Sequence, residues 1–465
     1  MFDTAMTLFF EDVPHEAIGA LNAVVHAIPE YMTMFQVQWL SVMPVWQPFS
    51  AVIDSFIYYY PLFMAYIWMF GAVIFYVRFE RGPGQAAENL PELAEYPPVS
   101  ILIPCYNEAE NIRETVEILL LQKYPAIEII AINDGSKDNT LDVLQALAKQ
   151  YGQLRVVNLH TNQGKAMGLR TAALLANSEF LVCIDGDALL APEAVTWMVR
   201  HFLNNPKVGA VTGNPRIRNR STLLGRIQVG EFSAIVGMIK RAQRSYGRVF
   251  TVSGVIAAFR KSALHDVGYW SNDMVTEDID ISWKLQLAGW SIYFEPNALC
   301  WVLMPETLKG LWRQRVRWAQ GGAEVLLRYF SALFRWSSRG MWVLYLECLV
   351  STLWAYLILL HLLSGAAALL SGSHYESLHN LSPSWTSTLL SLTCLIQFGV
   401  SLAIDSRYEY RNGGTARYYY WMVWYPIAYW LMNVGTTITG SIKAVRKKRG
   451  QRAVWITLDR GLRNK

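Results

Sequence analysis

Two patterns of apolar residues divide the chain. Between about 97 and 212, short apolar runs alternate with amphipathic stretches of three or four helical turns. On either side of the polar middle, the apolar runs are long and nearly free of charge. The short runs Val99–Pro104, Ile127–Asn133, Arg155–Leu159, Phe180–Ile184 and Val208–Thr212 predict strands. Glu108–Gln122, Asn139–Tyr151 and Gly164–Asn177 predict helices between them. Strands and helices alternating at this spacing make an α/β fold with an open, mostly parallel sheet and flanking helices. Ligands on such sheets lie beyond the carboxyl ends of the strands. Asn107, Glu108, Asp134, Asp185 and Asp187 all fall there.

The long runs change the setting. Residues 51–77 carry one charge, Asp54, and exceed the ~20 residues that cross a bilayer. Three more apolar stretches follow, at 341–371, 386–404 and 418–442. The chain therefore divides into an acidic, interfacial segment 1–50, a span 51–77, and a domain 82–339 with interfacial helices near 306–328. A transmembrane region 341–442 of two to three spans and a basic tail 443–465 complete it. Arg81-Gly82-Pro83-Gly84 is the expected hinge between span and domain.

Charge orients this arrangement. No Lys or Arg precedes Arg78, whereas Arg78 and Arg81 directly follow the first span. The positive-inside rule puts residues 1–50 outside and the middle domain in the cytoplasm. The missing basic leader argues against a cleaved signal peptide. The tail poses a conflict: a third full span at 418–442 sends it outside, yet Lys443, Arg446, Lys447, Lys448, Arg449 and Arg452 are basic. Either the segment containing Pro426 is broken or re-entrant, or the rule is overridden.

Composition adds limits. With 465 residues, 53% of them apolar, there is room for one large soluble domain plus several spans. Five cysteines without CxxC spacing fit a reduced compartment and no disulfide framework. The net charge of +5 points to anionic lipid headgroups and a phosphorylated substrate rather than nucleic acid.

Four motifs carry candidate chemistry. Asn133-Asp134-Gly135-Ser136 is a good turn, and its acid at a strand end can also accept hydrogen bonds from a nucleobase or ribose. Lys165 opens a helix, where its ammonium and the free backbone N–H groups can meet a phosphate. Asp185-Gly186-Asp187 is either an acidic turn or a seat for Mg²⁺ (or Mn²⁺) bridging to a diphosphate. Mg²⁺ favours one or two carboxylates plus phosphate oxygens. Thr276-Glu277-Asp278 either caps the following helix or supplies a general base for an acceptor hydroxyl. A single base with a metal-stabilised leaving group implies single displacement with inversion. Gln314-Arg315-Val316-Arg317-Trp318 lies in a basic amphipathic stretch suited to a membrane surface. It also offers Arg317 to a pyrophosphate and Trp318 to a sugar face.

In this order the motifs resemble those of processive, inverting family 2 glycosyltransferases with a GT-A fold inserted between transmembrane helices. The runs Val211-Thr-Gly-Asn-Pro-Arg-Ile-Arg, Val252-Ser-Gly-Val-Ile-Ala-Ala-Phe-Arg and Met274-Val-Thr-Glu-Asp-Ile-Asp-Ile-Ser-Trp-Lys look like bacterial poly-β-1,6-N-acetyl-D-glucosamine synthases. The similarity covers about residues 55 to 460. It implies Asp134 at the uracil, Lys165 near the donor, Asp185 and Asp187 at the metal–diphosphate, and Asp278 as base with Glu277 on the acceptor side. Gln314, Arg317 and Trp318 would hold the pyrophosphate and the acceptor end. It further implies UDP-GlcNAc as donor, a 6-hydroxyl acceptor on a growing polysaccharide, and a bacterial inner-membrane location. A small membrane accessory subunit, activation by cyclic di-GMP and a role in biofilm belong to the same implication. A chitin, hyaluronan or cellulose type of synthase is the nearest alternative, and a non-processive transferase to a lipid phosphate is more distant.

Overall fold

The computed structural model describes residues 51–82, 89–370, 385–412, 414–423, 425–448 and 450–453. The acidic segment 1–50, the second half of the hinge (83 and 84) and the loop 371–384 lie outside them. Among the described residues, 51–60 with 359–370 form one compact unit, in which His361 Nδ1 pairs with Asp54 Oδ1 at 3.2 Å. Residues 61–358 and 385–453 belong to the second unit, which holds the sheet and everything below.

Eight strands form one sheet: β1 (Val99–Cys105), β2 (Ile127–Asp134), β3 (Leu154–Leu159), β4 (Phe180–Ile184), β5 (Leu189–Leu190), β6 (Val208–Ile217), β7 (Ile256–Arg260) and β8 (Ser291–Val302). Their order is β3-β2-β1-β4-β7-β6-β8-β5. The half from β3 to β4 is parallel. Beyond it β7 runs antiparallel to both neighbours, while β6 and β8 pair in parallel. The sheet is thus mixed overall, with its parallel half where the apolar runs predict it. Side chains alternate faces along each strand, and both faces are covered. Ile101, Ile103, Ile129 and Val182 pack into one core. Leu102, Ile130, Ile132 and Leu181 pack into the other.

Strands β7 and β8 were not legible as strands. Pro296 interrupts β8, and proline in a strand interior normally argues against one. The structure accommodates it in a bulge: the β6–β8 register slips between Thr212↔Phe294 and Asn214↔Leu299, and Asn214 Nδ2 donates to the Pro296 carbonyl at 3.0 Å. Because β7 is antiparallel, it starts at the edge where β1, β2 and β4 end. That puts the turn at 252–255 beside the carboxyl ends of its neighbours.

Among the described residues, three helices are long and apolar enough to cross a membrane: Ala51–Glu80, Trp336–Ala366 and Thr388–Glu409. The stretch 418–442 is split. A 3₁₀ segment, Ala416–Met422, precedes the helix Tyr425–Arg446, which is not among those three. This helix lies along the amphipathic helix Leu308–Tyr329, with Gly440 against Ala319 and Gln320 so closely that a Cβ would meet the Gln320 nitrogen at 2.6 Å. Its basic end folds back onto the sheet domain. Lys447 Nζ reaches both Glu324 carboxylate oxygens at 3.0 Å, and Ala453 N donates to the Asn272 carbonyl at 2.9 Å.

A buried ion network joins two of the long helices to the sheet domain. Arg241 pairs with Glu80 at 2.7 Å and with Asp405 at 2.9 Å. Arg216, on β6, pairs with Asp405 and Glu409 at 2.5 Å each, and Arg220 also meets Glu409. Tyr408 OH donates to Glu80 at 2.5 Å. Breaking such a pair by removing one partner typically costs about 3–5 kcal/mol.

Candidate active site

Beyond the carboxyl edge of the sheet lies a cavity of about 450 Å³. Its floor is the loop after β4. Lys165 extends from the start of the helix Lys165–Leu175 across this floor, 2.6 Å from Asp185 Oδ1 and 3.1 Å from Glu277 Oε1. Its ammonium also donates to the Gly254 carbonyl at 3.0 Å. The two acidic motifs, 92 residues apart in sequence (277 − 185), therefore share one cation. Neighbouring carboxylates outweigh burial and push the Lys165 pKa up, so the ammonium stays charged.

Asp278 follows on the wall of the cavity. Its Oδ2 accepts from Gly254 N at 3.1 Å and its Oδ1 from Ile279 N at 3.0 Å. Burial, then the neighbouring Glu277 charge, raise its pKa to about 6, against the lowering pull of Lys165 and Arg317. Glu277 is held below the ordinary carboxylate value because Lys165 and Arg317 overcome its burial. Two adjacent acids are thus driven apart. Glu277 is a fixed anion, and Asp278 can exchange a proton near neutrality.

The helix Leu308–Tyr329 closes the cavity. Gln314, Arg317 and Trp318 all line it. Gln314 Oε1 and Arg317 Nε are buried without a hydrogen-bond partner in the described residues. Buried polar atoms are ordinarily paired, so these two point to a ligand. Arg315 covers one face of the Trp318 ring, 4.3 Å from its centroid. The helix is locked to the Thr276-Glu277-Asp278 segment by Val275 N donating to Glu324 at 3.1 Å and Tyr329 OH to Asp280 at 2.7 Å.

Asp134 is placed differently from the nucleobase contact expected of it. It is fully buried, and it is not part of the cavity lining. Its carboxylate accepts from Gln163 N at 2.7 Å and Gly164 N at 2.8 Å, fixing the loop that presents Lys165. Burial raises its pKa, opposed by those two N–H groups.

The residues also bear on a metal. Among the described residues no group of three or more His, Cys, Asp or Glu side chains is arranged to hold an ion. Asp185 and Asp187 are two hard oxygen donors lining the same cavity. That set fits a cation that takes its remaining ligands from a diphosphate and water.

Residues 97–321 match the model of the glycosyltransferase-like family 2. The chain is 41% identical over 411 residues to the poly-β-1,6-N-acetyl-D-glucosamine synthase of Staphylococcus epidermidis, covering 88% of this chain and 98% of that one. The chain belongs to the poly-β-1,6-N-acetyl-D-glucosamine synthase family. The Staphylococcus aureus synthase is 42% identical over 413 residues, with the same coverage. Among solved structures, a mannosyltransferase from Pyrobaculum calidifontis in complex with GDP-Man and Mn²⁺ superposes with a TM-score of 0.60 at 19% identity. It covers 85% of this chain and 97% of that one, and shows the shared GT-A fold.

Within this synthase family member, several cavity residues carried no sequence signal. Lys240 is a buried base in its wall, which Glu108 also lines. Ser253 and Gly254 form the turn before β7, and Glu347, Cys348 and Ser351 come from the helix Trp336–Ala366. Lys240 sits next to Arg241 in the short helix Ile239–Ser245, outside every motif singled out in the sequence. Only the antiparallel start of β7 brings Ser253 and Gly254 to this edge.

Proposed function

We propose that this protein transfers N-acetylglucosamine from UDP-GlcNAc to the 6-hydroxyl of a growing β-1,6-linked chain, by single displacement with inversion. The observation that carries this reading is the continuity of the cavity. It runs from Asp185, Asp187 and Lys165 past Asp278 and Trp318 to Glu347 and Ser351 on a transmembrane-length helix. A donor diphosphate at one end, a base midway and an exit beside a span suit synthesis coupled to export of a biofilm matrix polymer.

In this mechanism Lys165, Arg317 and Gln314 bind the diphosphate, and Asp134 acts through the loop it fixes. Asp278 accepts the proton of the acceptor hydroxyl as its oxygen attacks the sugar carbon, and Glu277 keeps Lys165 in place. A divalent cation held by Asp185 and Asp187, Mg²⁺ or Mn²⁺, would neutralise charge on the leaving diphosphate. A small accessory subunit and activation by cyclic di-GMP belong to the same reading. The direct test supplies radiolabelled UDP-sugars to membranes containing the protein, then analyses the linkage of the polymer. Incorporation of glucose or glucuronate, or a 1,4 linkage, would place it with another polysaccharide synthase.

Trp318, which lines the cavity, stacks on the terminal sugar in this reading. Trp318→Ala should weaken acceptor binding by ~1–3 kcal/mol, by analogy with base–aromatic stacking, and shorten the polymer while the donor KM stays nearly unchanged. Normal polymer length in a correctly inserted variant would leave Trp318 as an interfacial anchor only.

The sheet domain is proposed to be cytoplasmic, from Arg78 and Arg81 after the first span. The tail joins it there through the contacts of Lys447 and Ala453 with that domain. Reporters after Gly82 and after Ala453 should report one side of the membrane, and a reporter within 372–385 the other. All three on one side would overturn the arrangement.

A further inference from the structure

Lys240 is a buried lysine that the mechanism above does not use. It follows the π-helical turns Phe232–Met238, and such turns recur at functional sites. Its ammonium lies 3.1 Å from Thr212 Oγ1 and 3.1 Å from Ser253 Oγ. Among the described residues no carboxylate is within ion-pair distance of it, although it lines the same cavity as Asp278. Thr212 Oγ1 also accepts from Ser253 N at 2.8 Å. One residue further on, Gly254 N holds Asp278 and Gly254 O is held by Lys165. The Ser253-Gly254 turn is therefore gripped on its serine by Lys240 and on its glycine carbonyl by Lys165. Between them, its remaining N–H points at the carboxylate proposed as base.

We infer that Lys240 is a positioning residue for the general base, fixing the Ser253-Gly254 turn that aims Asp278 and supplying the positive charge that keeps Asp278 ionised before attack. This rests on the assignment of Asp278 as the base. Two ammonium protons go to hydroxyl oxygens, which leaves the third for the cavity and for the acceptor. Such a role explains why an ammonium is buried with only neutral oxygens beside it, an arrangement that otherwise costs stability. Burial lowers the Lys240 pKa to about 7, and Asp278 is the charge that raises it again. Lys240 is accordingly protonated over the range near pH 6 where Asp278 titrates. Asp278 is also faced by Glu277, which raises its pKa, and by Lys165 and Arg317, which lower it. Glu108, Asp185, Asp187 and Glu347 are the other acids of the cavity wall. Loss of the Lys240 charge removes one of the influences that favour ionised Asp278, so the pKa of the base must rise.

The experiment compares Lys240→Gln, which keeps a donor for Thr212 and Ser253 but not the charge, with Lys240→Arg, which keeps the charge. Polymer synthesis from radiolabelled UDP-GlcNAc is followed in membranes containing the full chain from pH 5 to 9. In Lys240→Gln the acid limb of kcat should move up by about one pH unit, a roughly tenfold loss at pH 6 that shrinks at pH 8. The donor KM should change less than twofold. Lys240→Arg should return the limb to near its parental position. Equal loss at every pH, or an unmoved limb, would overturn the inference. Asp278→Asn, measured alongside, separates the two readings. If it is inactive while the Lys240→Gln limb stays put, only the role of Lys240 fails. If it remains active, the base assignment fails and this inference with it.

Discussion

Asp278→Asn should lower polymer synthesis by a factor of about 10²–10⁴, the usual cost of losing a general base. A primary hydroxyl is a poor nucleophile at neutral pH, and a cation held by Asp185 and Asp187 would assist only the leaving group. Asp278 is the acid whose environment suits proton transfer. It accepts two backbone N–H groups, and its pKa of about 6 leaves it mostly ionised at pH 7 yet basic enough to accept a proton. A base must be deprotonated to act, so parental activity should fall as the pH drops through about 6. Asn keeps the size and can still accept from Gly254 N, so donor binding should survive the substitution. Donor affinity is measured by UDP titration of purified protein, and synthesis by label incorporation. A folded, donor-binding Asp278→Asn variant that polymerises within a few-fold of the parent would sink the assignment, and Glu277 would be tested next.

Gly321→Ala, a change remote from any reacting atom, should cost about 10²-fold in synthesis. Gly321 lies in the helix Leu308–Tyr329, where alanine alone would favour the helix by about 1 kcal/mol. Here the added Cβ would stand 1.8 Å from Thr276 Oγ1 and 2.6 Å from Thr276 Cβ. Rotating the threonine moves its hydroxyl but not its Cβ, so the backbones must separate. Val275–Glu324 and Tyr329–Asp280 tie the same two segments, leaving them nowhere to slide without loss. The separation carries Glu277 and Asp278 away from Arg317 and Trp318. A misplacement of about 1 Å is enough for a 10²-fold loss. The variant should remain folded and membrane-inserted, as circular dichroism and fractionation would show. Parental synthesis by Gly321→Ala would mean that the two motifs do not need this close approach.

How much of this was legible depended on whether the signal was local. Strands β1 to β4 and β6 are short apolar runs with polar ends, and their carboxyl edges locate Asp185 and Asp187 without further information. Lys165, Glu277, Asp278, Gln314, Arg317 and Trp318 stood out as charged or aromatic residues in motifs, and the fold brings them around one cavity. What stayed hidden depends on long-range pairing. Pro296 conceals β8 because its bulge exists only against β6. Ser253 and Gly254 lie in a run that carries the resemblance, but their place at the site appears only once β7 inserts between β4 and β6. The stretch 418–442 has the apolar content of a span, and only its partner, the helix Leu308–Tyr329, reveals that Tyr425–Arg446 lies alongside it. Asp134 shows the converse: a conspicuous acid at a strand end, with its oxygens on the neighbouring loop.

The arginine network has a mechanical consequence. Glu80 ends one transmembrane-length helix and Asp405 lies near the end of another, and both converge on Arg241. Arg216 adds a second tie from β6 to Asp405 and Glu409. Tilting the sheet domain against these helices would part several buried pairs together, at about 3–5 kcal/mol each. Any advance of a polymer by one sugar therefore falls to small movers: a side chain, a turn, or the sugar itself. In the proposed reading the enzyme body is the fixed frame, and the product is the moving part.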